Sequence, residues 1–247
     1  MYKALVTSGC SFSLYDPSEE GHPHGWPYFL QQKLLSDGTL PEDFSSFHRG
    51  LGANGNMLIA RNTMEAISRL LDKGMNGEEI LCVVEWSGTN RHQFFIDNPT
   101  KETFQYDVGI RFEDGEYKDL SESKTNGYYL VNQPSDLNLK FQSHINDVIE
   151  SLWHWTTLQN YCKVNDIKPY YTFMFEHDKE MLLDDEMGDP WAWEYLRDNI
   201  ITDNVLTSIT KYLEDYSHKN LFMPDGHPNK RGHKVFSEYL RKSLTSI

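Results

Sequence analysis

Ala4-Leu5-Val6-Thr7-Ser8-Gly9-Cys10-Ser11-Phe12-Ser13 is the stretch whose reading decides the fold. Leu5 and Val6 are strand formers, and the run ends in a Ser-Gly-Cys-Ser turn. A short apolar run stopped by glycine and small polar residues reads as a buried parallel strand entering a tight turn. In open α/β sheets, ligands bind beyond the carboxyl ends of the strands. A hydroxyl at that turn, Ser11, therefore points toward a binding site. The plainer alternative is a serine-rich turn whose hydroxyls bond their own backbone.

Outward from this strand the pattern repeats. Trp26-Pro27 opens a helix, with Pro27 suited to its first position and Phe29, Leu30 and Leu34 on one face. Phe44 to Leu51 forms a second, short strand. Gly52-Ala53-Asn54-Gly55-Asn56 is a turn into a helix with Ile59, Met64, Ile67, Leu70 and Leu71 at helical spacing, stopped near Gly74. Glu79 to Trp86 is the strongest buried strand, and it runs into Ser87-Gly88-Thr89-Asn90. Strand, helix, strand, helix, strand is the signature of a parallel sheet.

Residues 103–131 break the rhythm. Phe104, Tyr106, Val108, Ile110 and Phe112 alternate with polar residues, and Asp114-Gly115 supplies a hairpin turn. A long amphipathic helix carrying Phe141, Ile145, Val148, Leu152, Trp155 and Leu158 follows, then a strand from Pro169 to Phe175. The acidic and aromatic segment at about 176–200 reads as a lid, and two short helices reach about Tyr216. A weak last strand at Leu221 to Met223 precedes Asp225-Gly226-His227-Pro228-Asn229 and a closing helix with Val235, Phe236, Tyr239 and Leu240 on one side. The expectation is one α/β domain over 1–247, a three-layer α/β/α sandwich around a mostly parallel sheet of about five strands, with an antiparallel hairpin insertion.

Composition narrows the function classes. The chain has 247 residues, 13% aromatic and 24% charged, which suits a folded globule. A net charge of -14 repels phosphate backbones and speaks against nucleic acid as a partner. Three cysteines without a CxxC pair speak against a disulfide scaffold or a zinc ribbon and point to a reducing compartment. No stretch reaches the ~18 apolar residues of a membrane span, and residues 1–14 lack the pattern of a secretory signal. The expected location is cytoplasmic, or virion-associated for a phage-encoded chain.

Four polar turns thus stand at the carboxyl ends of four predicted strands, carrying Ser11, the Gly52 to Asn56 loop, Asn90 and His227. Acyl transfer needs such a set: a nucleophilic hydroxyl, a histidine to take its proton, a group orienting that histidine, and donors aimed at the oxyanion. In this order the blocks resemble the SGNH (GDSL-like) hydrolases, over nearly the whole chain. Gly9-Cys10-Ser11 is similar to the first block, normally Gly-Asp-Ser. Gly52 to Arg61 is similar to the second, and Gly88-Thr89-Asn90 matches the third, Gly-x-Asn. Asp225-Gly226-His227-Pro228-Asn229 is similar to the block supplying the catalytic Asp and His. Gly25-Trp26-Pro27 opening the first helix fits many members, and the particular mix, with Gly-Cys-Ser-Phe-Ser and Trp-Ser-Gly, resembles bacterial and tailed-phage members more than secreted lipases.

The resemblance implies a flavodoxin-like SGNH fold and a serine esterase with no cofactor and no metal. Ser11, His227 and Asp225 are its implied catalytic residues, and Ser11, Gly52 and Asn90 its oxyanion donors. Gly55, Asn56, Trp86 and Arg91 border these turns as candidate substrate contacts. Departures are visible. Cys10 stands where the family has Asp, and Asp225 and His227 are two residues apart where the family spaces them three apart. Positions i and i+2 of an extended segment share a face, so Asp225 remains in reach; a backbone carbonyl is the alternative orienter. Gly55 is the alternative oxyanion glycine. Cys10 is read as packing rather than nucleophile. His22 and His24 are read as surface residues, His233 as a surface or packing residue, and Trp191 and Trp193 as either core or pocket. The implied substrates are carboxylic esters: O-acetylated carbohydrate, short acyl esters or lysophospholipids. The alternatives are a glycan-binding or structural virion module that keeps the fold without turnover, and an acyltransferase.

Overall fold

The computed structural model describes residues 2–13, 25–50, 54–96, 108–111, 127–131, 144–183, 191–216 and 220–245. Strand β1 (Ala4–Gly9) is buried along its whole length and lies between β2 (Ser45–Gly50) and β3 (Ile80–Trp86), parallel to both. β7 (Pro169–Phe173) pairs in parallel with the far edge of β3, giving the order β2-β1-β3-β7. Gly9 is in register with Gly50, and Trp86 with Phe173, so the carboxyl ends lie along one rim.

Successive strand residues point to opposite faces, and the two cores show it. Ala4, Val6, Cys82, Val84, Trp86, Tyr171 and Phe173 pack against α2 (Asn56–Leu71) and α3 (His144–Val164). Leu5, Leu81, Val83 and Tyr170 pack the other way, against α1 (Trp26–Ser36), α6 (Ile209–Asp215) and α7 (Lys230–Thr245). This is the expected α/β/α layering. The periodic residues do what their spacing requires: Ile59, Ile67 and Leu70 of α2 are buried, as are Phe236 and Leu240 of α7. Burying one such side chain contributes roughly 1.5–3 kcal/mol. In the first core Trp155 sits 5.2 Å from Tyr171 and 5.5 Å from Phe173, ring centre to ring centre. Gly74, with φ at 84°, ends the turn after α2 where a side chain would be strained.

Several expectations are corrected. Among the described residues the parallel sheet has four strands, not about five. Leu221 to Met223 does not join it: Phe222 makes an isolated antiparallel bridge to Pro228, because this segment folds back on its own turn. Val205 instead makes a parallel bridge to Tyr171 beyond β7. The antiparallel insertion is a three-stranded sheet, β4 (His92–Ile96), β6 (Gly127–Val131) and β5 (Val108–Arg111) in that order. Its first strand was not expected. The turn at Asp114-Gly115 and Phe141 lie outside the described residues. The acidic lid begins as a helix, α4 (Glu176–Leu183), and Asp178 on it is buried rather than solvated. Further on is α5 (Trp191–Asp198). No helix among the described residues is long and apolar enough to cross a membrane.

Candidate active site

Ser11 opens a single 3-10 turn, Ser11–Ser13, directly beyond β1. Little room surrounds that turn. A Cβ on Gly9 would lie 2.2 Å from Ser13 Oγ and 2.9 Å from Glu85 Cβ. Only glycine lets the chain reverse this closely over β3. Ser13 and Phe12 are buried beneath the turn, and Ser11 is left half-buried at the rim.

His227 arrives from the far end of the chain, and the local hydrogen bonds explain its placement. Gly226, with φ at 85°, makes the reversal, and Met223 N donates to His227 O at 2.7 Å. Asn229 caps α7, its Oδ1 accepting from the N–H of Arg231 and of Gly232 at 3.0 Å each. Its Nδ2 donates to Asn220 O at 2.8 Å. The segment is thus pinned on both sides of the histidine. His227 Nε2 lies 2.8 Å from Ser11 Oγ, so with the proton on Nδ1 the Ser11 hydroxyl donates to Nε2. Phe12 supports the ring at 4.8 Å between centroids.

Asp225 approaches from the other side. Its Oδ1 accepts from His227 N at 3.1 Å, and its Oδ2 lies 3.3 Å from His227 Nδ1. Nδ1 nonetheless has no aligned hydrogen-bond acceptor among the described residues. The contact is an off-line approach, because a carboxylate bound to the backbone two residues on cannot also square up to the ring. That backbone bond, with the nearby imidazole, holds the Asp225 carboxyl below its ordinary range. The Asp225 side chain is 62% exposed, and exposed charge pairs are weak. We therefore expect Asp225→Asn to lower the ester turnover proposed below by only about tenfold, far from the ~10⁴-fold loss typical of a buried triad aspartate. Comparison of kcat for the two proteins checks this; a thousandfold loss would mean that the pair tightens in the working state.

The remaining site residues divide. Asn90 is exposed at the end of β3, in the turn closed by Arg91 N donating to Gly88 O at 3.3 Å. Its Oδ1 lies over Gly88, 3.0 Å from where a Cβ would stand. Gly55 caps α2 in extended conformation. Gly52, His22 and His24 lie outside the described residues. Asn56 and Trp86, expected as substrate contacts, have their side chains engaged within the protein. Asn56 Oδ1 accepts from Ser87 N at 2.9 Å and its Nδ2 donates to Ser151 Oγ at 3.0 Å, so both ends are occupied by a strut joining α2, α3 and the turn after β3. Trp86 is buried in the first core, stacked on Tyr171 with centroids 6.1 Å apart. Arg91 is half-buried, and its charge acts on Glu85 and Cys10.

Cys10 is buried, with Sγ–H donating to Glu85 Oε1 at 3.2 Å, and burial together with Glu85 pushes its thiol up to about 12. A thiol so placed packs and does not attack. His233 is buried on α7, and burial lowers its imidazole to about 3. Three residues escaped the sequence reading. Asn54 is buried and donates to Gly9 O at 3.0 Å, tying the second loop to the end of β1. Phe12 supports the histidine. Glu85 lies beneath the serine turn; its signal was a carboxylate inside the otherwise apolar run Ile80–Trp86. A cavity of about 430 Å³ opens beside the site, walled by Phe175, Phe222 and His177 and bordered by Glu176, Glu214 and Gly226. No group of three or more His, Cys, Asp or Glu placed to hold a metal ion occurs among the described residues.

Comparison with known proteins adds a fold. No protein-family model matches the chain, and no curated protein matches it. Among solved structures, the protein YXIM_BACsu from Bacillus subtilis superposes with a TM-score of 0.53 at 9% identity, over 100% of this chain and 58% of that one. A member of the lipolytic protein G-D-S-L family from Veillonella parvula superposes with a TM-score of 0.48 at 10% identity, over 99% of both chains. The chain therefore spans little more than half the length of YXIM_BACsu. The likeness to YXIM_BACsu is one of fold: an α/β fold with a parallel four-stranded sheet flanked by helices, the fold class that the sequence led us to expect.

Proposed function

We propose that this chain is a single-domain serine esterase of the SGNH type. The observation that carries the reading is the 2.8 Å contact between Ser11 Oγ and His227 Nε2, made across 216 positions of sequence. Two residues so far apart meet at the rim where ligands bind in such sheets. In the proposed cycle His227 Nε2 takes the Ser11 proton as Oγ bonds to the ester carbonyl carbon. The tetrahedral oxyanion collapses, the bond to the alcohol oxygen breaks, and that oxygen leaves with the proton from His227. Water then attacks the acyl-serine by the same route in reverse. The N–H groups of Ser11 and Gly52 and the Asn90 carboxamide serve as oxyanion donors, each worth about 3–4 kcal/mol of barrier in such sites. Asp225 steadies His227 on its solvent side. Arg91 and Gly55 remain proposed substrate contacts.

The cavity beside His227 supports a polyhydroxylated alcohol as the leaving group, such as the sugar of an O-acetylated carbohydrate. Phe175 and Phe222 offer flat faces, and Glu176, His177 and Glu214 offer hydrogen-bonding groups. The test is labelling with a serine-directed fluorophosphonate, read by peptide mass mapping. Modification of Ser11 is expected. Modification of Cys10 would count against Ser11 as the nucleophile, and no modification together with no turnover of p-nitrophenyl acetate would instead favour a glycan-binding module that keeps the fold.

A further inference from the structure

Glu85 is the one carboxylate of β3, and it is completely buried. A carboxylate out of water is tolerated only where donors surround it. Here the donors come from the turn around Ser11 and from the helix behind it. Cys10 Sγ–H donates to Oε1 at 3.2 Å, and Trp26 Nε1–H reaches Oε2 at 2.7 Å. The Ser13 hydroxyl bonds the same carboxylate. Trp26 also donates to Ser13 Oγ at 3.1 Å, which closes the ring of contacts. Cys10 and Ser13 flank Ser11 in sequence, so the carboxylate grips the nucleophile's turn on both sides. The charged group facing it among the described residues is Arg91, from the segment after β3, and Met174 closes on Cys10 from the segment after β7.

We propose that Glu85 is a positioning residue for Ser11: its carboxylate gathers the donors on either side of the nucleophile, and the turn keeps its shape only while Glu85 accepts from all of them. The proposal rests on Ser11 being the nucleophile. The physical basis is hydrogen-bond capacity. An ionised carboxylate is acceptor-only, whereas a protonated one must itself donate. Protonation therefore sets a donor against Cys10, Ser13 or Trp26, and one of these contacts has to open or, at the Ser13 hydroxyl, reverse its direction. Burial raises the Glu85 carboxyl to about 7, opposed by the bonds from Trp26, Cys10 and Ser13 and by Arg91, so this change falls near neutrality.

Linkage gives the sign. The folded protein holds this proton up to about 7, whereas an unfolded glutamate loses it near 4.5. The Glu85 contribution to stability is thus most favourable below 4.5 and declines as pH rises to about 7. Ionised Glu85 weakens the fold while shaping the turn. That opposition separates a positioning role from a structural one.

In Glu85→Gln the charge goes and the shape stays. At about pH 8 its melting temperature is expected to equal or exceed that of the native chain. Its kcat for p-nitrophenyl acetate is expected to fall about a hundredfold with KM within about twofold, since a misplaced nucleophile loses rate rather than binding. A second readout needs no turnover. In ¹⁵N-labelled protein, the Trp26 indole and the Ser11 amide should titrate with one shared midpoint near neutrality, absent in Glu85→Gln. In Trp26→Phe, which removes the N–H and keeps a ring, the Ser11 midpoint should move up. A Glu85→Gln protein that melts lower at about pH 8, and loses rate only in proportion to its unfolded fraction, would make Glu85 purely structural. Separate midpoints for Trp26 and Ser11 would overturn the proposal as well. If the native chain turns over no ester, the esterase reading fails by itself, and the shared midpoint alone decides the role of Glu85.

Discussion

Ser11→Ala is expected to lose about 10⁴-fold or more in kcat toward p-nitrophenyl acetate, and His227→Ala about as much. The argument is one of function as a unit. The serine hydroxyl attacks only as its proton leaves, and His227 Nε2, 2.8 Å away, is where that proton goes. Removing either partner removes the whole step, not half of it. The double variant should therefore fall no further than the worse single one, a non-additivity that two independent contacts would not produce. Stability should move little. Ser11 lies at the rim, and His227 keeps a third of its side-chain surface in solvent, so neither truncation opens a core cavity. Losses that add on a logarithmic scale would mean that the two side chains are neighbours without being partners.

Much of this site was legible in the sequence because turn chemistry is local. Gly9, Gly226 and Asn229 mark where the chain must reverse or be capped, and Ser11 and His227 sit on those reversals. The parallel order was legible for a similar reason. Three apolar runs separated by helical periodicity fit few other arrangements. What escaped was set by packing across the sheet. Trp86 follows a polar-turn logic in sequence, yet its ring turns into the aromatic core with Trp155 and Tyr171. Asn56 sits at a helix start, where a polar residue reads as facing a ligand, but two elements distant in sequence occupy its amide. Asp178 stands among acidic neighbours, and its place on the helix buries it all the same. Strand β4 was missed because the antiparallel sheet is completed by pairing with β6, some thirty-five positions further along. Such pairing leaves little mark on local composition.

Gly50→Ala should damage fold and site together. Gly50 ends β2, and its backbone is not in the left-handed region, so conformational freedom is not what glycine supplies here. It supplies space. A Cβ at this position would lie 1.9 Å from Ser13 O, 2.5 Å from Ser13 C and 2.8 Å from Ser13 Cβ. Two of these three atoms are backbone, so no rotamer change relieves the clash; the serine turn itself must move. Overpacking of this kind costs about 1–3 kcal/mol, and the immovable neighbour puts the expected loss near the upper end. For a chain of this length that is a fall of roughly 6–12 °C in melting temperature. The same displacement is carried through Ser13 to Ser11, one turn away, and an ångström of misplacement costs about a hundredfold in rate. Gly38→Ala is the control. Gly38 has φ at 76° but nothing within 4 Å of its would-be Cβ, so it meets backbone strain without a clash. It should cost about 1–2 kcal/mol and leave turnover of the folded fraction unchanged. Thermal melts paired with active-site titration by the phosphonate separate the two effects. If Gly50→Ala melts like Gly38→Ala and labels at the native rate, the end of β2 does not buttress the nucleophile, and the close packing of Gly50 on Ser13 has no functional consequence.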